Sequence, residues 1–166
     1  MKAEQGVFIV MGVSGCGKSN LGKALAERLR LPFFDGDDFH PPENIQKMAD
    51  GVPLDDSDRA GWLKSLNQLA LQHKVKGAVI ACSALKEAYR KLLEMGLAGD
   101  ITWIYLYGNY QDILQRMSLR ESHYMPSSLL KSQFKALEPP AYGVHIPISL
   151  STADAVSKIL ESMDST

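Results

Sequence analysis

The chain has 166 residues, of which 45% are apolar and 22% charged, and its formal net charge is −1. This length fits one domain that can bury a substantial core. A nearly neutral chain lacks the broad positive field that gathers nucleic acids or anionic membranes, so we expect neither as a partner. For the same reason, any anion that the protein binds must be held by a local site. The apolar run of residues 7–11 is too short for a signal peptide or a membrane span.

The first half of the chain alternates apolar runs with helical periodicity. Val7–Met11 is typical of a strand buried on both faces, and residues 18–30 show helical spacing that stops before Pro32. Phe33–Asp35 is a second short strand. Further strands are predicted over residues 77–82, 101–107 and 146–150, and further helices over residues 42–49, from 55 or 56 onward, 85–94, 111–119, 127–137, and from 152 or 154 to 163.

Strands that alternate with helices favour an α/β fold in which a parallel five-stranded sheet is flanked by helices. Right-handed crossovers follow from chain chirality. Pro147 in the last predicted strand favours an edge position, because proline cannot donate to a neighbouring strand. The sequence contains no repeat and no linker, so we expect residues 1–166 to form a single domain.

A glycine-rich segment between the first strand and the first helix matches G-x-x-x-x-G-K-[ST] at every fixed position. Glycines allow backbone N–H groups to approach phosphates, and the helix N-terminus favours negative charge. The alternatives are a glycine-rich turn without a ligand and, for the cysteine of the loop, a reactive thiol. The predicted nucleotide-binding residues are Gly12, Val13, Ser14, Gly15, Cys16, Gly17, Lys18, Ser19 and Asn20.

An acidic turn follows the second strand, at the edge of the sheet where ligands bind in open α/β folds. Asp35 lies at the strand end, so we expect it to join Ser19 at a Mg²⁺ site. Asp37 is predicted to act as the general base for an acceptor hydroxyl. The alternative is an acidic cap for the helix that begins at Pro42.

Basic residues follow this turn on segments that would surround the same crevice. Each alone is more often a solvated surface residue, whereas together they suggest an anionic acceptor such as a sugar acid. These residues are His40, Lys47, Arg59, Lys86 and Arg90.

Taken together, these motifs resemble the P-loop gluconokinases over nearly the whole chain. The D-G-D-x-x-H-P turn of residues 35–41 combined with the C-S-A-L-K segment of residues 82–86 is far more specific for this family than the phosphate loop alone. The segments that carry the resemblance are residues 11–19, 35–41, 44, 47–48, 51–54, 56, 58–59, 62–63, 82–86, 89–90, 123–126, 132–134 and 137–138.

The resemblance implies ATP-dependent phosphorylation of D-gluconate to 6-phospho-D-gluconate, with Mg²⁺, on a P-loop NTPase fold like that of nucleoside monophosphate kinases. It also implies a cytoplasmic homodimer, and it assigns the acceptor to Asp37 and to the five basic residues named above. Residues 116–135 would form a lid, in which Arg116 packs near adenine and Arg120 neutralises the transferring phosphate. Two ordinary surface arginines are the alternative. Ser122 departs from the family, which usually has glycine there.

The predicted mechanism is in-line transfer with Lys18, Asp37 and Arg120 as the catalytic residues. One rival hypothesis is a kinase for another small acceptor, such as shikimate or adenylylsulfate. A second rival is a nucleotide-binding regulatory protein whose site is catalytically dead. Intact Lys18, Ser19 and Asp37 argue against the second rival.

Overall fold

The computed structural model describes residues 6–119 and 128–164. Its five strands form one parallel sheet in the order β2-β3-β1-β4-β5. The strands are β1 Val7–Met11, β2 Phe33–Asp35, β3 Ala78–Ala81, β4 Ile101–Tyr107 and β5 Val144–Pro147. The helices are α1 Lys18–Leu29, α2 Pro42–Ala49, α3 Asp56–Gln72, α4 Glu87–Leu93, α5 Tyr110–Ser118, α6 Ser128–Ala136 and α7 Thr152–Asp164. None of these helices is both long and apolar enough to cross a membrane.

The predicted parallel α/β sheet is confirmed, and so is the edge position of the strand that contains Pro147. One element was missed: residues Gly36–Phe39 form a short 3₁₀ helix, because the Asp35 side chain accepts the N–H of Asp37 and closes a turn. β5 also begins earlier than predicted, directly after Gly143, which has a positive φ of 82°.

The core lies around the central strands. Every residue of β1 is at most 1% exposed, as expected for a strand covered on both faces. Leu25 of α1, Leu66 of α3 and Ile159 of α7 are completely buried in the same core. The sheet is therefore a rigid platform for the loops that leave it.

All five strands run in one direction, so their carboxyl ends meet at one edge of the sheet. β1 is the middle strand, and the loop that follows it lies between the segments that follow β3 and β4. The Gly12 N–H donates to the Ser83 carbonyl at 3.3 Å, which joins two of these segments. The acidic turn after β2 lies on the far side of β3.

Arg90 of α4 is buried and ties three segments together. The side chain is 1% exposed, and its guanidinium donates to the carbonyls of Ala84 and Glu138, both at 2.7 Å. It also donates to the Glu87 carboxylate at 3.1 Å and to the Tyr142 hydroxyl at 2.9 Å. The sequence analysis expected Arg90 to contact an acceptor. Because its donors are already engaged inside the protein, the structure corrects this expectation to an architectural role.

We expect Arg90→Met to lower the free energy of unfolding by about 3–5 kcal/mol, because it leaves the carboxylate and buried carbonyls without their donor. The matched control is Lys91→Met, an exposed residue on the same helix, which should change stability by less than about 0.5 kcal/mol. Urea denaturation measures both values. Equal stability of the two variants would contradict the architectural role.

Candidate active site

The loop between β1 and α1 is a turn that requires glycine. Gly12 has φ 148°, and a Cβ atom there would lie 2.5 Å from the Leu106 carbonyl oxygen. Gly15 and Gly17 have φ values of 81° and 98°, in the region that L-residues rarely adopt. Gly17 is the N-cap of α1, so the loop leads directly into a helix N-terminus, a favourable place for an anion.

Two polar groups of this loop have partners within the protein. The Lys18 ammonium donates to the Val13 carbonyl at 3.1 Å, which holds the side chain across the loop. The Ser14 N–H donates to the Gln133 carboxamide oxygen of α6 at 2.7 Å. The Gln133 oxygen therefore accepts from the Ser14 N–H, a donor that could also bind a phosphate oxygen. No chemical role was predicted for Gln133, and its only signal was its place in the segments that resemble a family.

The acidic turn is bonded to the start of α1. The Ser19 hydroxyl donates to Asp35 Oδ2 at 2.8 Å, while Asp35 Oδ1 accepts the N–H of Asp37 at 3.0 Å. A hydroxyl and a carboxylate are suitable oxygen ligands for a hard cation. Residues 6–119 and 128–164 contain no cluster of three or more acidic, cysteine or histidine side chains that could hold a metal ion. The Ser19 hydroxyl and the Asp35 carboxylate therefore have the donor chemistry that would suit Mg²⁺.

A cavity opens beside the loop at the carboxyl edge of the sheet. It brings together five of the residues predicted from the sequence: Ser14, Lys18, Asp37, His40 and Arg59. The other lining residues are Met48, Pro53, Leu54, Trp62, Ser83, Leu129, Ser132 and Gln133. An ammonium group and a carboxylate thus face one space, as phosphate transfer to a hydroxyl requires.

Trp62 of α3 holds the acidic turn in place. Its indole N–H donates to the Gly36 carbonyl at 2.7 Å, and its ring stacks on His40 with centroids 4.1 Å apart. Burial, reinforced by the positive charge of Arg59, lowers the pKa of His40 to about 4. His40 therefore supplies a hydrogen-bonding group but no charge at neutral pH, which corrects its inclusion among the basic groups.

Arg59 is positioned by a residue from another helix. Its guanidinium donates to the Tyr89 hydroxyl at 3.0 Å, and that hydroxyl donates to Asp56 at 2.5 Å. The Lys86 ammonium lies 3.7 Å from the same carboxylate and lines an adjoining cavity together with Arg59. Tyr89 therefore helps to orient the Arg59 guanidinium, although the sequence suggested no function for Tyr89.

The remaining predicted residues lie elsewhere. The Lys47 ammonium pairs with the Asp58 carboxylate at 2.9 Å, and Lys47 is not among the residues that line the cavity. Its contact with an acceptor stays a prediction, as does that of Lys86. Arg120 and Ser122 lie outside the described residues, as do residues 120–127 of the predicted lid as a whole.

A second cavity lies on the other side of the loop, beside α1 and α5. It is lined by four residues predicted to bind nucleotide, Cys16, Gly17, Asn20 and Arg116. The Arg116 guanidinium donates to the Ile148 carbonyl, which joins α5 to the segment after β5. The Cys16 side chain is only 1% exposed, so it serves as a small packing group and the reactive-thiol alternative is not supported.

Comparisons with known proteins agree with this geometry. Residues 14–158 match the model of the shikimate kinase family. The thermosensitive gluconokinase of Escherichia coli K12 is 48% identical over 135 residues, which are 80% of this chain and 72% of that protein. A probable gluconokinase of Rattus norvegicus is 39% identical over 95% of this chain and 97% of its own length.

A solved structure shows the same relationship in three dimensions. The crystal structure of a gluconokinase from Sinorhizobium meliloti 1021 aligns with a TM-score of 0.87 and 39% identity. The alignment covers 96% of this chain and 92% of that one. The chain therefore belongs to the family that the shikimate kinase model describes and, among its members, to the gluconokinases.

Proposed function

We propose that this protein transfers the γ-phosphate of ATP to the terminal hydroxyl of D-gluconate, giving 6-phospho-D-gluconate and ADP. The observation that carries the proposal is the cavity in which Lys18 of the phosphate loop and Asp37 of the acidic turn face one space. Family membership supports gluconate as the acceptor. Arg59 supports an anionic acceptor, because a guanidinium is suited to bind a carboxylate.

The nucleotide spans the two cavities in this proposal. The triphosphate lies along residues 12–19, and the adenine occupies the cavity lined by Asn20 and Arg116. Gln133 leaves the Ser14 N–H when a phosphate oxygen takes its place. Ser19 and Asp35 would hold Mg²⁺, which would supply positive charge against the phosphate oxygens.

Asp37 is the general base of the proposed reaction. Its carboxylate accepts the proton of the terminal hydroxyl as that oxygen bonds to the γ-phosphorus, and the bond from this phosphorus to the β,γ-bridging oxygen breaks, so that ADP leaves with the bonding electrons. Lys18 stabilises the negative charge that develops on the transferred group. Arg120 is proposed as a second cationic group by the family resemblance.

The acceptor is held at its other end by groups that do not react. Arg59 binds the carboxylate of gluconate, and His40 donates a hydrogen bond to one of its hydroxyl oxygens. Lys86 adds positive charge from the adjoining cavity, and Lys47 is retained as a predicted contact. A cytoplasmic homodimer completes the proposal and depends on the resemblance alone.

Replacement of Lys18 by Met should reduce kcat at least about 100-fold, because stabilisation of transferring charge by one positioned group has this magnitude. Lys23→Met, an exposed change on the same helix, should leave kcat within about twofold of the unaltered enzyme. A coupled assay of ADP release measures both variants, with circular dichroism as the control for folding. Equal turnover of the two variants would contradict the assignment of the loop.

Gluconate should give the highest kcat/KM in a panel with shikimate, adenylylsulfate and neutral sugars. The neutral sugars lack the carboxylate that pairs with Arg59, a loss worth about tenfold or more in KM. Product phosphorylated at the terminal oxygen identifies the reaction by mass spectrometry and phosphorus NMR. A higher kcat/KM with shikimate or adenylylsulfate would replace the proposed acceptor, and no turnover with any acceptor would favour the regulatory alternative.

Tyr89→Phe should raise the KM for gluconate about tenfold while kcat changes less, because removal of one hydroxyl releases Arg59 from its position without touching the reacting atoms. Tyr107→Phe, on β4, is the control and should leave KM unchanged. A fall in kcat with an unaltered KM would show that Tyr89 does not act through acceptor binding.

A further inference from the structure

The imidazole of His40 is enclosed on two sides. One face stacks on Trp62 with an interplanar angle of 16°, and Nδ1 lies 3.1 Å from the Asn44 carboxamide nitrogen. His40 is 8% exposed and lines the cavity that contains Lys18 and Asp37. Among the described residues no other hydrogen bond reaches the ring, so Nε2 is the polar atom left for a ligand in this cavity.

The neighbouring carboxamide determines which ring nitrogen carries the proton. Asn44 is 3% exposed, and its Nδ2 also lies 2.8 Å from the Asp58 carbonyl oxygen. A carbonyl only accepts, so the atom that faces it must be the NH₂ group. The same NH₂ group meets His40, and its second proton is directed to Nδ1. Nδ1 therefore accepts, and a neutral ring must carry its proton on Nε2.

We propose that Asn44 is a positioning residue that holds His40 in the neutral Nε2–H tautomer, so that the cavity presents a fixed and uncharged donor to an oxygen of the acceptor. The identity of that acceptor rests on the function proposed above. The tautomer itself does not, because it follows from the contacts of Asn44 alone.

The surrounding charges favour the neutral ring. Arg59 of α3 and Lys18 of α1 line the same cavity, and the positive charge of Arg59 opposes an imidazolium. Asp37, from the 3₁₀ helix, is the carboxylate that lines this space, whereas the Asp58 carboxylate is engaged with the Lys47 ammonium. Burial of the ring and, after it, the charge of Arg59 lower the pKa of His40 to about 4. The donor is therefore present at every pH from about 5 to 8.

A fixed neutral donor determines specificity in a particular way. It requires a lone pair at one position of the acceptor, and it rejects an analogue that has hydrogen there, because the N–H would be left without a partner. Unlike a cation, it adds no attraction for anions in general. We therefore expect His40 to select acceptors that have an oxygen at this position, and Arg59 to select acceptors that carry a negative charge.

The tautomer is measured by NMR on the whole protein labelled with ¹⁵N-histidine. The chain has four histidines, and the signals that disappear in His40→Gln assign the ring. We expect a protonated Nε2 and an unprotonated Nδ1 at pH 7, unchanged at pH 5.5. A protonated Nδ1 at pH 7, or an imidazolium at pH 5.5, would overturn the proposal.

Variants of α2 test the role of Asn44. In Asn44→Asp the donor becomes a carboxylate that accepts from Nδ1, so Nδ1 should carry a proton at pH 7. The control is Gln46→Ala, which removes an exposed carboxamide bonded to Asp50 on the same helix and should leave the His40 signals unchanged. If Asn44→Asp does not fold, Asn44→Ala should still move the Nδ1 resonance, because it removes the hydrogen bond. An unmoved resonance in a folded variant would refute the role of Asn44.

Kinetics then test the donor. A glutamine amide can place an N–H near the former Nε2, whereas an asparagine amide reaches only the position of Nδ1. We expect His40→Asn to raise the KM for gluconate about tenfold more than His40→Gln does, with kcat less affected. Equal KM values in the two variants would contradict the donor. If gluconate is not turned over while the NMR result holds, the proposed function fails and the tautomer assignment stands.

Discussion

The structure depends on a turn that only glycine can make. At the end of the buried strand β1 the backbone passes so close to β4 that a Cβ atom at Gly12 would lie 2.5 Å from a carbonyl oxygen. This passage brings the loop amides and Lys18 to the N-terminus of α1. A side chain at this point would displace the loop from the sheet, and the site for a triphosphate would be lost with it.

The acceptor side of the site is held by several elements at once. The turn after β2 is bonded to α1 through Ser19, to α3 through Trp62 and to α2 through the contact of Asn44 with His40. These contacts reach the turn at Asp35, Gly36 and His40, on both sides of Asp37, and so hold the backbone that carries Asp37 beside the phosphate loop. Positioning of this kind is a large part of catalysis in phosphoryl transfer.

Features with local signals were predictable from the sequence. The strands, the glycine loop and the acidic turn each depend on neighbouring residues, and the structure confirms the parallel sheet with its proline-containing strand at the edge. Features that depend on distant contacts were not predictable. Gln133 meets Ser14 across 119 positions of the chain, and Arg59 meets Tyr89 across 30. Arg90 was predicted to contact a ligand because arginine is usually exposed, and the sequence does not show that this one is buried.

The most direct test of the account is a calorimetric titration of the unaltered protein with Mg·ATP. We predict binding of one nucleotide per chain, with competition by inorganic tripolyphosphate, because the loop amides and Lys18 bind the phosphate tail. Adenosine, which lacks that tail, should bind much more weakly. Absence of measurable association with Mg·ATP, or equal affinity for adenosine, would contradict the central claim.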